Sequence, residues 1–321
     1  MRVLLIGGTV FIGRAIAQEL VDNGHEVCFV HRGKHEPDDL PSGEHIHVDR
    51  AELGSVRSRI DAFDPDAVID NMALTRRDAQ TALEALPEDR RLVVTSSMDV
   101  YRAYTYIMKG GSGEPVPIDE SSAVRDERYP YRGQGNPMFD DYEKLDVEEI
   151  YLAAGATALR LPMVYGPHDG QRREELILRR VRANRDRIPV GAGTWRAAKG
   201  FVGDVARGTR LAVESEAARG EILNLGESHT YPMSEWAQMI LDAAGNDAEL
   251  VRVPDEKLPP DLGMLGTIEQ DLLVDSTKAR EMLGWTDTDP RETLKVSVAW
   301  HLAHPPDTDD PGFDADDEAL A

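Results

Sequence analysis

The chain is 321 residues long and carries 59 acidic residues against 36 basic ones, a formal charge of −23. That length supports one large domain with an appended lobe and a substantial core. The lone cysteine, Cys28, excludes an internal disulfide and reads as a buried structural thiol. The acidic field repels phosphate, which disfavours nucleic acid as a partner. With no run of about eighteen apolar residues and no apolar leader ahead of the first strand, a membrane span is excluded and a soluble, cytoplasmic protein is expected.

In chain order, Arg2 to Ile6 is an apolar run of strand length, and Gly7-Gly8 turns the chain. Phe11 to Val21 has helical periodicity and closes at Asn23-Gly24, and Glu26 to Val30 is a second strand. Such a unit sets a helix N-terminus over the end of the first strand, where free N–H groups and the helix dipole suit a pyrophosphate. A polar loop runs to Gly43, and His45 to Val48 forms a third strand ending at Asp49. Ala67 to Asp70 is the fourth strand, Thr75 to Leu86 its helix, and Arg91 to Thr95 the fifth strand. Residues 102–137, rich in Gly, Pro and Arg, are expected to be an active-site flap. A helix over Phe139 to Ala153, a strand over Ala156 to Leu161, a helix over Glu174 to Ala183 and a strand over Glu221 to Leu225 follow. Met233 to Ala244 and residues 273–304 complete a helical lobe, and the acidic stretch Pro305 to Ala321 is expected to be disordered. Strands alternating with helices imply a parallel sheet covered on both faces.

The glycine spacing Gly7-x-x-Val10-x-x-Gly13 is not the Gly-x-Gly-x-x-Gly of the general dinucleotide fold. It resembles the turn of the short-chain dehydrogenase/reductase superfamily, and Phe11-Ile12-Gly13 resembles its extended branch, the NAD-dependent epimerase/dehydratase family. Further segments resemble that family in order: Asp66 to Ala73, Ser96-Ser97-Met98-Asp99-Val100-Tyr101, Tyr142 to Glu149, and Pro162 to Pro167. The resemblance implies an α/β, Rossmann-type doubly wound parallel sheet with a smaller C-terminal substrate lobe. Residues 1–165 with 196–225 would form the dinucleotide domain, and 166–195 with 226–304 the lobe. It implies an NAD(P)-dependent epimerase, dehydratase or reductase acting on a nucleotide sugar or related polyol. It also implies a homodimer through the helices Thr75–Leu86 and Phe139–Ala153. Gly7, Thr9, Val10, Phe11, Ile12 and Gly13 would seat the pyrophosphate, Asp49 would lie near the adenine, and Ala73 and Lys144 near the nicotinamide ribose. Val10 departs from the family's middle glycine, and a branched side chain there holds phosphates off the backbone unless it rotates outward. His31 and Arg32 stand where NAD-binding relatives place a carboxylate. Arg32 pairing with a 2′-phosphate would favour NADP over NAD, against the plainer reading of an exposed loop arginine.

In the superfamily a Tyr-x-x-x-Lys pair works with a serine beside the nicotinamide, the lysine holding the ribose and lowering the tyrosine's pKa. Ser97 and Lys144 match those roles, but Asp140 stands in place of the tyrosine. Tyr142 would lie about 200 degrees round a helix from Lys144 and could not replace it without a local distortion. Asp140 has three readings: a proton-transfer group, an i to i+4 ion pair with Lys144, which is preferred, or a residue superseded by Tyr101, Tyr129 or Tyr131 from the flap. The alternative function is a cofactor-binding protein without dehydrogenase chemistry, because the variant glycine turn also resembles the chloroplast stem-loop-binding relatives, which are associated with RNA. The arginines at 172, 173, 179, 180, 182, 185 and 187 are read mostly as a solvated face, with a grip on a substrate diphosphate as the rival. The histidines at 25, 31, 35, 45 and 47 show no metal-ligand spacing, so no metal site is expected.

Among the basic residues, lysine occurs only at 34, 109, 144, 199, 257, 278 and 295. An acidic, lysine-poor surface fits a halophilic source, whose salt screens charges within a few ångströms. The unfolding midpoint is therefore expected to rise from low salt to molar KCl in a thermal scan; a midpoint that falls with KCl would contradict this.

Overall fold

The computed structural model describes residues 1–307 and 310–321. The strands β1 (Arg2–Ile6), β2 (Glu26–His31), β3 (Glu44–His47), β4 (Ala67–Asp70), β5 (Arg91–Ser97) and β6 (Thr157–Leu161) belong to one seven-stranded sheet. The paired strands run parallel, and the strand that completes the sheet returns from beyond residue 220, giving the spatial order Ile222–Asn224, β6, β5, β4, β1, β2, β3. β1 and β4 are near-continuous apolar runs because both of their faces are covered. The order reverses between these two strands, so a crevice opens at their carboxyl ends.

One face carries α1 (Phe11–Asp22), whose Ile16, Ala17 and Leu20 are buried in a shared cluster with Val205 and Ala212. The other face carries α2 (Arg57–Phe63) and α3 (Arg76–Ala85), the latter opened by a capping box between Thr75 and Asp78. The segment after β5 contains only a short helix, α4 (Tyr106–Lys109), before α5 (Lys144–Ala153) packs beside α3. Beyond β6 lie β7 (Met163–Tyr165), α6 (Glu175–Arg182), β8 (Arg187–Val190), β9 (Lys199–Phe201), α7 (Val202–Glu214) and β10 (Ile222–Asn224), the last being the returning strand. The remainder is α8 (Met233–Ala244), β11 (Glu249–Arg252), α9 (Thr277–Leu283), α10 (Pro290–Ala303) and α11 (Asp314–Leu320). A second core cluster, centred on Trp195, Trp236, Tyr165 and Ile177, joins these elements to Val100 and Tyr101 after β5. No described helix is long and apolar enough to cross a membrane.

Two expectations are corrected. The helix expected over Phe139–Ala153 begins only at Lys144, since Pro137–Phe139 form a separate 3-10 turn and Glu143 is the N-cap. The tail expected to be disordered contains α11, docked on α6. Arg180, fully buried, forms a two-pronged ion pair with Asp316, also buried. The guanidinium of Arg179 lies 4.5 Å from the centre of the Phe313 ring. Few apolar residues point to this helix, because arginine forks rather than a greasy stripe hold it. Asp316→Ala leaves Arg180 with Asp261 and the Leu176 carbonyl, and is expected to cost about 3–5 kcal/mol in urea unfolding. A loss no larger than that of an ordinary surface change would contradict the docking.

Candidate functional site

The crevice begins with the turn after β1. Gly7 has φ +86°, and a Cβ there would lie 2.1 Å from Met72 Cγ. A Cβ on Gly13 would meet the Gly7 carbonyl oxygen at 2.0 Å, so the first turn of α1 can press on the loop only because both residues are glycine. Val10 is the N-cap, in extended conformation and 53% exposed, with no side-chain cap taking the N–H groups of the first turn. Its branched side chain is exposed at the mouth of the adjoining cleft.

A cleft of about 490 Å³ opens beside this turn, lined among others by Gly7, Thr9, Val10, His31, Arg32 and Asp49. Phe11 and Ile12 sit at the start of α1, while Ala73 is buried beyond β4. Arg50 enters the cleft wall and pairs with the fully buried Asp70. Burial works to raise the Asp70 carboxyl, but Arg50 and the Tyr151 hydroxyl hold it below the usual range. The tight glycine turn, the helix end without a side-chain cap and a cleft of this volume beside them fit a dinucleotide.

A second cleft of about 550 Å³ lies at the end of β5, lined by Ser97, Asp99, Tyr131, Tyr142, Pro162, Arg173 and flap residues. Asp99 is the centre of its polar wall: Tyr142 donates to it at 2.8 Å and Tyr131 at 3.0 Å. Burial pushes the Asp99 carboxyl up, although both phenols work to lower it. Burial and then Asp99 push the Tyr142 phenol well up. Ser97 accepts the Asp99 N–H at 3.2 Å and lies next to Tyr142. Lys144 is buried, its ammonium donating to the carbonyls of Ala73 (2.7 Å), past the end of β4, and Thr95 (2.9 Å), within β5 shortly before Ser97. Burial lowers its pKa to about 8, with Asp70 and Asp99 opposing.

The preferred reading of Asp140 is corrected. Residues 140 and 144 share no helix; the Asp140 carboxylate accepts the Gly133 N–H at 2.9 Å, while Lys144 faces carbonyls. The exclusion of Tyr142 is corrected too, because the angle of 200 degrees presumed a helix that has not yet begun there. Glu143 explains this. Its carboxylate takes a two-pronged bond from buried Arg125 and the N–H of Tyr129, caps the N–H of Leu145, and its own N–H goes to Leu74 O. Of the flap tyrosines, Tyr131 reaches the cleft, whereas the Tyr101 hydroxyl is buried on Asn224. Asp99 was missed although it stood within the Ser-Ser segment; its signal was a carboxylate two residues after the strand-end serine. Of the arginine group, Arg173 lines this cleft, while Arg179, Arg180 and Arg185 hold the C-terminal segment.

The histidines read as unrelated are in part neighbours: His31, His45, His47 and Glu36 place ligand atoms within 4.8 Å of one another. Burial, then the imidazoles of His45 and His47, hold His31 below the ordinary imidazole range.

A doubly wound sheet with a glycine turn and a crevice at its switch point, and with a serine and two phenols lining a second cleft, defines a Rossmann-type protein. The pattern of the NAD dependent epimerase/dehydratase family matches residues 3–226, and the chain belongs to that family. It is 27% identical over 304 residues to the chloroplast stem-loop binding protein of 41 kDa b of Arabidopsis thaliana, covering 88% of this chain and 74% of that protein. It is 25% identical over 329 residues to the UDP-glucose 4-epimerase of Corynebacterium glutamicum, covering 94% and 95%. Among solved structures, the UDP-glucose-4-epimerase from Stenotrophomonas maltophila with bound NAD and formylated UDP-arabinopyranose superposes with a TM-score of 0.72 at 19% identity. That match covers 94% of this chain and 98% of the other.

The buried lysine makes a pH-dependent prediction. Its folded pKa is depressed from 10.5 to about 8, so between those values the unfolded chain holds a proton that the folded chain has released. Stability from this group therefore rises with pH across that window, by at most about 1.4 kcal/mol per pH unit. Urea unfolding of wild type and Lys144→Met should diverge in favour of the wild type from pH 8 upward; a constant difference would contradict a buried ammonium.

Proposed function

We propose that the chain is an NAD(P)-dependent enzyme acting on a nucleotide sugar, with Tyr142 rather than residue 140 carrying the proton. One observation supports this most: two phenols converge on a buried carboxylate beside Ser97 in the second cleft. A substrate hydroxyl on Tyr142 Oη gives up its proton to that oxygen as the phenolic proton passes to Asp99, whose raised pKa suits an acceptor. Ser97 holds the substrate oxygen, and Tyr131 shares the Asp99 charge. The bound nicotinamide would supply the hydride exchange, with Lys144 and the Gly7–Gly13 turn holding it. Arg173 is the cation for the substrate's phosphates, and Arg32 and Lys34, exposed on the rim of the first cleft, support NADP. A second copy would dock on α3 and α5, as the family resemblance implies.

The match to a stem-loop binding protein favours a second reading, a cofactor-binding protein without redox chemistry, which the charge of −23 opposes. Saturating NADH or NADPH should raise the melting temperature, and Tyr142→Phe should lower kcat on a UDP-hexose by about 10²–10⁴-fold with cofactor affinity unchanged. Asp140→Asn should leave kcat within a few fold. No thermal shift with either cofactor rejects the reading; a shift without turnover, joined to salt-sensitive RNA retention on filters, favours the second.

A further inference from the structure

We propose that His31, His45, His47 and Glu36 form a binding site for one divalent transition-metal ion of the zinc type, at the edge of the sheet beside the first cleft. The backbone assembles three of the four ligands. β3 is the edge strand and pairs with β2 in parallel register, His31 opposite His47 and Phe29 opposite His45. Side chains two apart on a strand share a face, so the His45-x-His47 pair and His31 across the ladder point the same way. The sequence pattern hid this because the third histidine lies on another strand, and a helix or loop spacing finds nothing.

The ligand atoms have the right separations. A tetrahedral ion at ~2.0–2.1 Å from nitrogen and oxygen needs its ligands about 3.3 Å apart. His31 Nε2 lies 2.8 Å from His45 Nδ1, and His47 Nε2 lies 2.9 Å from Glu36 Oε2. His45 Nδ1 lies 3.4 Å from Glu36 Oε1 and His31 Nε2 lies 3.9 Å from Glu36 Oε2. Three imidazoles and one carboxylate are a donor set for zinc, cobalt or nickel rather than for magnesium or calcium.

The surroundings hold the rings in place. His45 stacks on Phe29, with centroids 4.7 Å apart and planes at 18°. His31 and His45 side chains are 6% and 21% exposed, while His47 and Glu36, at 54% and 40%, leave a path from solvent. Gly33, at φ +69°, brings the loop so close that a Cβ would sit 3.4 Å from the His47 ring. In the metal-free arrangement the Gly33 N–H donates to His31 Nδ1, so His31 gives its Nε2 proton to His45. Ligation through Nε2 moves that proton to Nδ1 and releases the Gly33 amide. Glu36 is the loop's contribution, so the ion ties the polar loop after β2 to the sheet edge next to the cleft wall that His31 shares.

The test is titration of the tag-free, full-length, metal-free chain with Co²⁺, followed by Zn²⁺. One equivalent of Co²⁺ should give the intense visible bands of a four-coordinate site, Zn²⁺ should displace it, and Zn²⁺ should raise the melting temperature. His47→Ala and Glu36→Ala, both at exposed positions, should melt with the wild type in chelator and bind roughly 100-fold or more weakly. The absence of a saturable band near one equivalent overturns the proposal, as does a wild-type affinity in both variants.

Discussion

The structure depends most on one buried ion pair. Arg125 and Glu143, 1% and 0% exposed in their side chains, come from the flap and from the approach to α5. A charge pair so far from water persists only if its remaining hydrogen-bonding capacity is met. Glu143 meets its share with the amides of Tyr129 and Leu145, and Arg125 adds a bond to the Glu127 carbonyl, leaving only its Nε without a partner. The same carboxylate thereby fixes where the helix begins, folds the flap over the crevice and sets the turn that carries Tyr142. Lys144, the first helical residue, is aimed at the carbonyls of Ala73, past β4, and Thr95, within β5, as a consequence. Without that anchor, residues 139–143 would be free to continue the helix backward and Tyr142 would leave Asp99.

This arrangement explains how a family member without the tyrosine at position 140 keeps a phenol in the site. In a continuous helix a group four residues before the lysine shares its face. Here the chain arrives at the lysine through a turn, so a group two residues before it meets the cleft. A phenol flanked by a buried carboxylate behaves differently from one flanked by an ammonium. Its proton is held tightly, which in the proposed reaction makes it a relay to Asp99 rather than a free base. Lys144 takes no part in that bond, because its buried ammonium is held by two carbonyls.

Much of the sheet was legible. β1, β4 and α8 stand on the residues expected, and β2, β5 and β6 agree within a residue or two, because long apolar runs and capping signals are local. The tight turn at Gly7 and Gly13 was equally legible as backbone geometry, since glycine is required there. What escaped depends on contacts distant in sequence. Nothing in Tyr142-Glu143-Lys144 announces that Arg125, well upstream, ends the helix there. The His31, His45 and His47 assembly needs the register of two strands. The C-terminal helix has almost no apolar face, and its partners are arginines on α6 that looked like a solvated stripe. β8 and β11 were too short to stand out, and they are ordered by pairing with each other.

The most direct measurement is a crystal structure of the ternary complex with NAD(P) and a nucleotide sugar, read for the group nearest the reacting hydroxyl. The account predicts Tyr142 Oη within about 3 Å of that oxygen, still bonded to Asp99, with Glu143 closed on Arg125. A complex in which α5 has extended back through residue 140, placing Asp140 or Tyr131 at that hydroxyl and Tyr142 away from it, would contradict it.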